Sequence, residues 1–253
     1  MSTHLITDTR VLTGRSVRHV TRSVDTIITT AVTPVALMLL FVFVFGGAID
    51  TGGSSYIDYM LPGILLITIA SGIAYTAYRL FLDLQGGIFE RFQSMPIARA
   101  SSLWAHVLTS LVANMASIVI VVGVALILGF RTGTSVLGWL AVFGILILFT
   151  LSLTWIAVIA GLSAKTVDGA SAFSYPLIFL PFISSAFVPT DTMPPAVAWF
   201  AENQPVTPII DTIRDIFSGQ PVTSDIWVAL AWCVGILVVA YFAAMAIYKR
   251  KIS

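Results

Sequence analysis

Six apolar stretches, each long enough to cross a bilayer, dominate this sequence of 253 residues: Thr26–Ile49, Leu61–Phe81, Leu103–Leu128, Val136–Leu162, Gly169–Val188 and Ile226–Tyr248. Hydrocarbon is about 30 Å thick, so a helix rising about 1.5 Å per residue needs about 20 apolar residues to span it. A peptide group left unsatisfied in lipid costs several kcal/mol, which leaves only helices and closed barrels. The runs are continuous and lack a barrel's alternation, so an all-α membrane protein is predicted. Pro34 sits near the middle of the first stretch, and Pro176 and Pro181 lie in the fifth, where a kinked or broken helix is expected. Only 10% of residues are charged, against about 25% in a soluble domain. A soluble globular enzyme and a disordered chain are both excluded.

Six spans put both termini on one side, and charge says which. Eleven of the 13 cations fall in the leader, the second and fourth connections and the tail; only Arg131 and Arg214 fall opposite. The positive-inside bias therefore places both termini in the cytoplasm. The opposite side is acidic, with Asp50, Asp58, Asp191, Glu202, Asp211, Asp215 and Asp225. Residues 1–25 hold no apolar core of signal-peptide length, so the first span is expected to direct insertion. The leader reads as an interfacial helix, with Arg15, Arg18 and Arg22 on one face and Val17, Val20 and Val24 on another. No repeat or second domain is visible, and residues 1–253 read as a single transmembrane domain.

Nothing in the chain supplies energy. Deep polar residues are uncharged (Thr29, Thr30, Thr33, Ser71, Asn114, Ser152 and Tyr175), so no proton relay is drawn through the spans. Gly161-Leu-Ser-Ala-Lys165-Thr166 approaches a phosphate-binding loop but lacks its second glycine and its spacing. His4, His19 and His106 are scattered, with no partner spaced for His106, and Cys233 stands alone. No catalytic residue, metal site or cofactor bound by this chain is expected, and a net charge of +1 gives no nucleic-acid partner. Uphill movement then needs energy from another polypeptide.

Two segments are more than connections. Between the second and third spans, Gly86-Gly87 ends one helix, and a short helix runs from Ile88 until Pro96 stops it. It presents Ile88, Phe89, Phe92 and Met95 on one side, with Glu90, Arg91 and Gln93 elsewhere. Such a face either lies on lipid or fills a groove on a cytoplasmic partner. Between the last two spans, Pro194-Pro195 opens one helix that ends before Pro205. Thr207 is expected to N-cap a second, with Pro208 first inside it and Gly219 just past its end. Ile209, Ile210, Ile213, Ile216 and Phe217 form its apolar stripe. Both helices are too short to cross a bilayer, so a re-entrant hairpin or an extracellular cap is expected. Arg214 is expected to pair with Asp211 or Glu202.

These two segments carry a resemblance. Asp83, Gly87, Glu90, Pro96 and Arg99 fall on the acid–x–x–Gly–Gly–x–x–Glu–x–x–x–x–x–Pro–x–x–Arg pattern, which resembles the coupling-helix region of type-2 ABC transporter permeases; Gln85 stands where relatives often carry a second acid. Phe187, Pro189, Met193, Pro194, Trp199, Asn203, Pro205, Arg214 and Gly219 resemble the outer-face motif of the same family, in particular its daunorubicin/doxorubicin-resistance-like antibiotic exporters. The resemblance implies a permease subunit exporting an amphipathic, drug-like molecule across the cytoplasmic membrane. It implies a dimer, taken here as a homodimer in membrane lipid, with two copies of an ATP-binding-cassette subunit that carry ATP and Mg. Gly87, Ile88, Phe89, Glu90, Arg91, Phe92, Met95, Pro96 and Arg99 would couple to that subunit. The first and fifth spans would line the path through Phe41, Phe43, Phe45, Tyr175, Phe179 and Phe182. An exporter of lipid-linked glycan is the alternative within the class, and a stand-alone channel or secondary transporter the alternative outside it.

Overall fold

A backbone that cannot turn to water closes its hydrogen bonds on itself, and helices do so throughout this bundle. The computed structural model describes residues 24–46, 55–86 and 101–252. The leader predicted as an interfacial helix and the coupling segment Gly87–Arg99 lie outside the described residues. Helix α1, Val24–Leu40, widens into a π-helical turn, Phe41–Phe45. It is followed by α2 (Tyr56–Gln85), α3 (Ser101–Ile127), α4 (Val136–Ser163), α5 (Val167–Ala172) and α6 (Ser174–Phe179). A 3₁₀ turn, Leu180–Ile183, then leads through a second one, Thr190–Thr192, to α7 (Pro195–Asn203), α8 (Val206–Ser218) and α9 (Asp225–Ile252). No strand occurs among the described residues.

Among the described residues, four helices, α2, α3, α4 and α9, are long and apolar enough to cross a membrane. The first and fifth apolar stretches take other forms. In the first, α-geometry gives way at Phe41 to the wider turn. In the fifth, the chain divides into α5 and α6, continues as the 3₁₀ turn holding Pro181, and becomes extended at Ser184. Pro176 and Pro181 have no N–H to give the preceding turn, and this stretch does not run as one α-helix to Val188.

Helix α2 is the axis of the bundle and touches α1, α3, α4, α5, α6 and α8. Met60, Leu61, Ile64, Leu65 and Ile67 on it are wholly enclosed. The larger apolar core surrounds its Tyr56 end, drawing in Met38, Phe130, Phe149, Phe187 and the α8 stripe. A second core surrounds its Gln85 end, where Leu80 meets Leu103, Val107, Trp155, Leu162 and Tyr248. Outward faces of the bundle remain apolar: Trp227, Val239 and Phe242 on α9 are each more than half exposed.

Between the two cores runs a buried polar seam. Thr76 Oγ1 of α2 donates to Ser110 Oγ of α3 at 2.7 Å, and Ser110 Oγ lies 3.5 Å from Thr154 Oγ1 of α4. Asn114 Nδ2 donates to the Ser110 carbonyl at 2.9 Å, while its carboxamide oxygen rests against Gly72. Small and hydroxyl-bearing residues let helices approach and bond where apolar side chains cannot tell helix from lipid. A Cβ at Gly72 would collide with that carboxamide. Gly72→Val should therefore lower the thermal stability of the purified protein by about 1–3 kcal/mol. Gly123→Val, which meets nothing within 4 Å, should shift it by less than about 0.5 kcal/mol.

Candidate functional site

Within the segment joining α6 to α9, two prolines open α7, at positions where a helix start leaves its N–H groups unused. Pro194 caps α7, its carbonyl accepting from the N–H groups of Val197 and Ala198, both at 2.9 Å. At the far end Asn203 Nδ2 donates to the Trp199 carbonyl at 2.7 Å, and Trp199 itself is exposed. The second helix starts two residues earlier than expected, at Val206 after Pro205. Thr207 is not its N-cap: its hydroxyl donates backwards to the Ala201 carbonyl at 2.5 Å and closes the α7–α8 corner. Pro208 then falls in the first turn, where a missing N–H costs nothing. At the other end Gly219 adopts φ 70°, letting its N–H reach the Ile216 carbonyl and that of Gln220 the Asp215 carbonyl. This is the paired bond of a left-handed helix stop.

The stripe Ile209, Ile210, Ile213, Ile216 and Phe217 is buried, but against helices of the same chain. Helix α8 packs on α2, α4 and α9, so its apolar face is not what meets lipid. Its polar face carries Arg214, which pairs with Asp211 at 2.6 Å; Glu202 is not its partner. The same guanidinium donates through Nη2 to the Ser185 carbonyl at 2.6 Å and through Nε to the Tyr59 carbonyl at 3.2 Å. It also lies 3.9 Å from the Tyr59 ring centroid. Ser185 Oγ completes the ring by donating to Asp211 Oδ1 at 2.7 Å. Burial raises the Asp211 carboxyl above the usual carboxylate range, with the Ser185 hydroxyl and the Arg214 charge pulling it back. Nearby, Gln204 Nε2 donates to the carbonyls of Leu180 and Ile183. One fork and one amide thus fasten the hairpin to α2 and to the broken fifth stretch. Of the remaining outer residues, Pro189 caps the 3₁₀ turn that Met193 ends.

That stretch meets α1 through aromatic rings. Phe41 stacks on Phe187 with centroids 4.5 Å apart, Phe187 stacks on Phe182 at 5.0 Å, and Phe41 lies 6.3 Å from Phe182. Phe45 and Phe179 extend the group from either side, at 5.4 Å from Phe41 and 6.2 Å from Phe182. Four of the six path residues expected from sequence therefore share one cluster. Phe43 and Tyr175 do not join it; both are exposed on the bundle surface. At the opposite end of α2, Asp83 Oδ2 lies 3.0 Å from His106 Nε2 on α3. His106 has a partner after all, 23 positions away in sequence and beyond any spacing rule.

Broken helix, proline-capped hairpin and Arg214 fork lie where a known family's outer motif was expected. Residues 7–218 match the family described as ABC-2 type transporter. The chain belongs to that family. It is similar to the daunorubicin resistance ABC transporter permease protein DrrB1 of Streptomyces coeruleorubidus, 29% identical over 225 residues, 86% of this chain and 77% of that protein. It is also similar to the probable doxorubicin resistance ABC transporter permease protein DrrC of Mycobacterium tuberculosis, 25% identical over 249 residues, 97% of this chain and 89% of that one. Family membership, with four helices among the described residues long and apolar enough to cross a bilayer, makes it a multi-pass membrane protein and a transport component.

Tyr59, Ser185 and Gln204 escaped the sequence reading. Each acts through a contact made only after folding, and Tyr59 meets Arg214 across 155 positions. The Arg214 node depends on a planar fork serving three acceptors at once, a geometry that ammonium cannot reproduce. Arg214→Lys should lower the thermal stability of the purified protein by about 1.5–3 kcal/mol. Glu202→Ala, an exposed residue outside the node, should move it by less than about 0.5 kcal/mol.

Proposed function

We propose that this chain is the permease subunit of an ATP-driven exporter of amphipathic, drug-like molecules. The likeness of nearly the whole chain to permeases named for daunorubicin and doxorubicin resistance carries the proposal. In this reading all six apolar stretches, the first and fifth in modified form, lie in the cytoplasmic membrane with both termini inside. Two copies form a homodimer, each resting on an ATP-binding-cassette subunit. ATP and Mg belong to that partner, since this sequence holds no glycine-rich loop able to cradle phosphates.

The ring cluster of Phe41, Phe45, Phe179 and Phe182 suits a flat amphiphile, because aromatic faces accept planar apolar surface without demanding a fixed hydrogen-bond pattern. It joins α1 to a stretch whose helix is already interrupted, so rearranging it needs no intact helix to be broken. Ile88, Phe89, Phe92 and Met95 would seat in the ATP-binding subunit, with Glu90 and Arg91 fixing the register.

The deciding experiment uses inside-out proteoliposomes holding the full chain and its ATP-binding partner, with daunorubicin as probe. ATP-dependent accumulation is expected with the partner and none without it. Uphill accumulation by the lone chain under an ion gradient would reverse the assignment. Phe92→Ala and Glu90→Lys should each keep ATP hydrolysis while cutting accumulation about thirtyfold, as docking residues worth about 2 kcal/mol do. Retention of wild-type accumulation by both variants would remove the docking role. For orientation, a cysteine at Thr190 should react with an impermeant maleimide added to intact cells and one at Ser94 should not; the opposite pattern would invert the topology.

A further inference from the structure

Helices α2 and α3 run antiparallel and are joined by two polar contacts and one close approach; Thr76–Ser110 and Gly72–Asn114 share a register, and Asp83–His106 lies about three residues out of it. Asp83 meets His106, Thr76 meets Ser110, and Gly72 receives Asn114. On α3 these rungs recur every four residues, one helical turn; on α2 they are seven and four apart, about two turns and one. At about 1.5 Å per residue the ladder is about 12–16 Å long. It starts at the mouth of the segment between Gly86 and Ser101 and ends in the polar seam at the middle of the bundle. Ser110, of the middle rung, also lies 3.5 Å from Thr154 Oγ1 of α4.

The first rung differs from the others in strength and setting. His106 and Asp83 keep their contact in either protonation state: neutral imidazole with its proton on Nε2 donates to the carboxylate, and imidazolium adds charge attraction. The contact bridges the two helices at 3.0 Å. It is partly exposed, with 17% and 34% of the two side chains accessible, and partly exposed pairs add little to stability. Stability at this end comes instead from Leu80, Leu103 and Val107 of the same two helices, packed with Trp155 of α4. Apolar packing resists separation but tolerates sliding, whereas a charge-assisted hydrogen bond fixes position along the helix axis.

We propose that Asp83 and His106 are positioning residues that tie the two ends of the coupling segment together. A push delivered there moves α2 and α3 as one body, and the Thr76–Ser110 and Gly72–Asn114 rungs carry it to mid-membrane. The inference rests on reading residues 87–99 as the element that meets the ATP-binding subunit.

The test uses the full transporter in proteoliposomes with two readouts. One is daunorubicin moved per ATP hydrolysed. The other is the distance between spin labels at Leu82→Cys on α2 and Val112→Cys on α3, compared with that from Leu82→Cys to Val239→Cys on α9. In the wild-type background ATP should change the second distance and leave the first unchanged. His106→Ala and Asp83→Ala should each cut transport per ATP about fivefold, the effect of one lost charge-assisted hydrogen bond at an exposed site. Both should also let ATP change the α2–α3 distance, and the reversed pair, Asp83→His with His106→Asp, should restore both readouts. An α2–α3 distance that already changes with ATP in the wild type overturns the proposal, whatever transport shows. So do single variants with wild-type transport per ATP, or a loss that follows thermal stability and is not rescued by the reversed pair. A wild-type complex that hydrolyses ATP with neither transport nor label movement instead refutes the reading of segment 87–99, and this inference with it.

Discussion

Hydrocarbon offers a peptide group no hydrogen bond, and the bundle is arranged around that refusal. Where the sequence permits an unbroken helix, as in α2, α3, α4 and α9, the requirement is met within the element. Where the helix is interrupted, side chains step in. Along the broken fifth stretch the carbonyl of Pro181 is taken by Ser184 Oγ, those of Leu180 and Ile183 by Gln204, that of Ser185 by Arg214 and that of Phe187 by the Tyr56 hydroxyl. The short helices outside the spans are in this sense completions of a helix that could not form.

The same constraint explains why polar residues inside the bundle are small and neutral. Thr76, Ser110, Asn114 and Thr154 bond to one another or to carbonyls one turn away, so their burial carries no unpaired charge. Their value is positional. Leucine against leucine can slip by a turn at little cost, whereas a hydroxyl facing a hydroxyl has one best register.

Much of this was legible in the sequence, because lipid makes hydropathy a strong signal. Runs of apolar residues marked the four long helices, and Pro176 and Pro181 marked the fifth as irregular. Pro194-Pro195 and Gly219 bounded α7 and α8 nearly as observed, since these residues act through local backbone geometry. Failures came where a side chain had a distant use. Thr207 has the right chemistry for an N-cap, yet Ala201 claimed its hydroxyl. His106 looked partnerless because Asp83 approaches it only once α2 and α3 lie side by side. The α8 stripe announced an apolar environment without revealing that neighbouring helices, not lipid, would provide it. Phe41 and Phe187 gave no sign in sequence that they would stack, being joined by nothing but tertiary packing.

The dependence of the fifth stretch on Gln204 and Arg214 bears on how such permeases diverge. The outer hairpin is not an ornament that evolution or an engineer can trade alone between relatives, because two of its side chains complete the main chain of another element. The smallest portable cassette runs from residue 180 through 219 and must bring a tyrosine-like ring at position 59 with it. Recombination inside that stretch strands a carbonyl in oil; recombination at its borders leaves the bonds to Tyr56, Tyr59, Thr132 and Thr223 for the host to match.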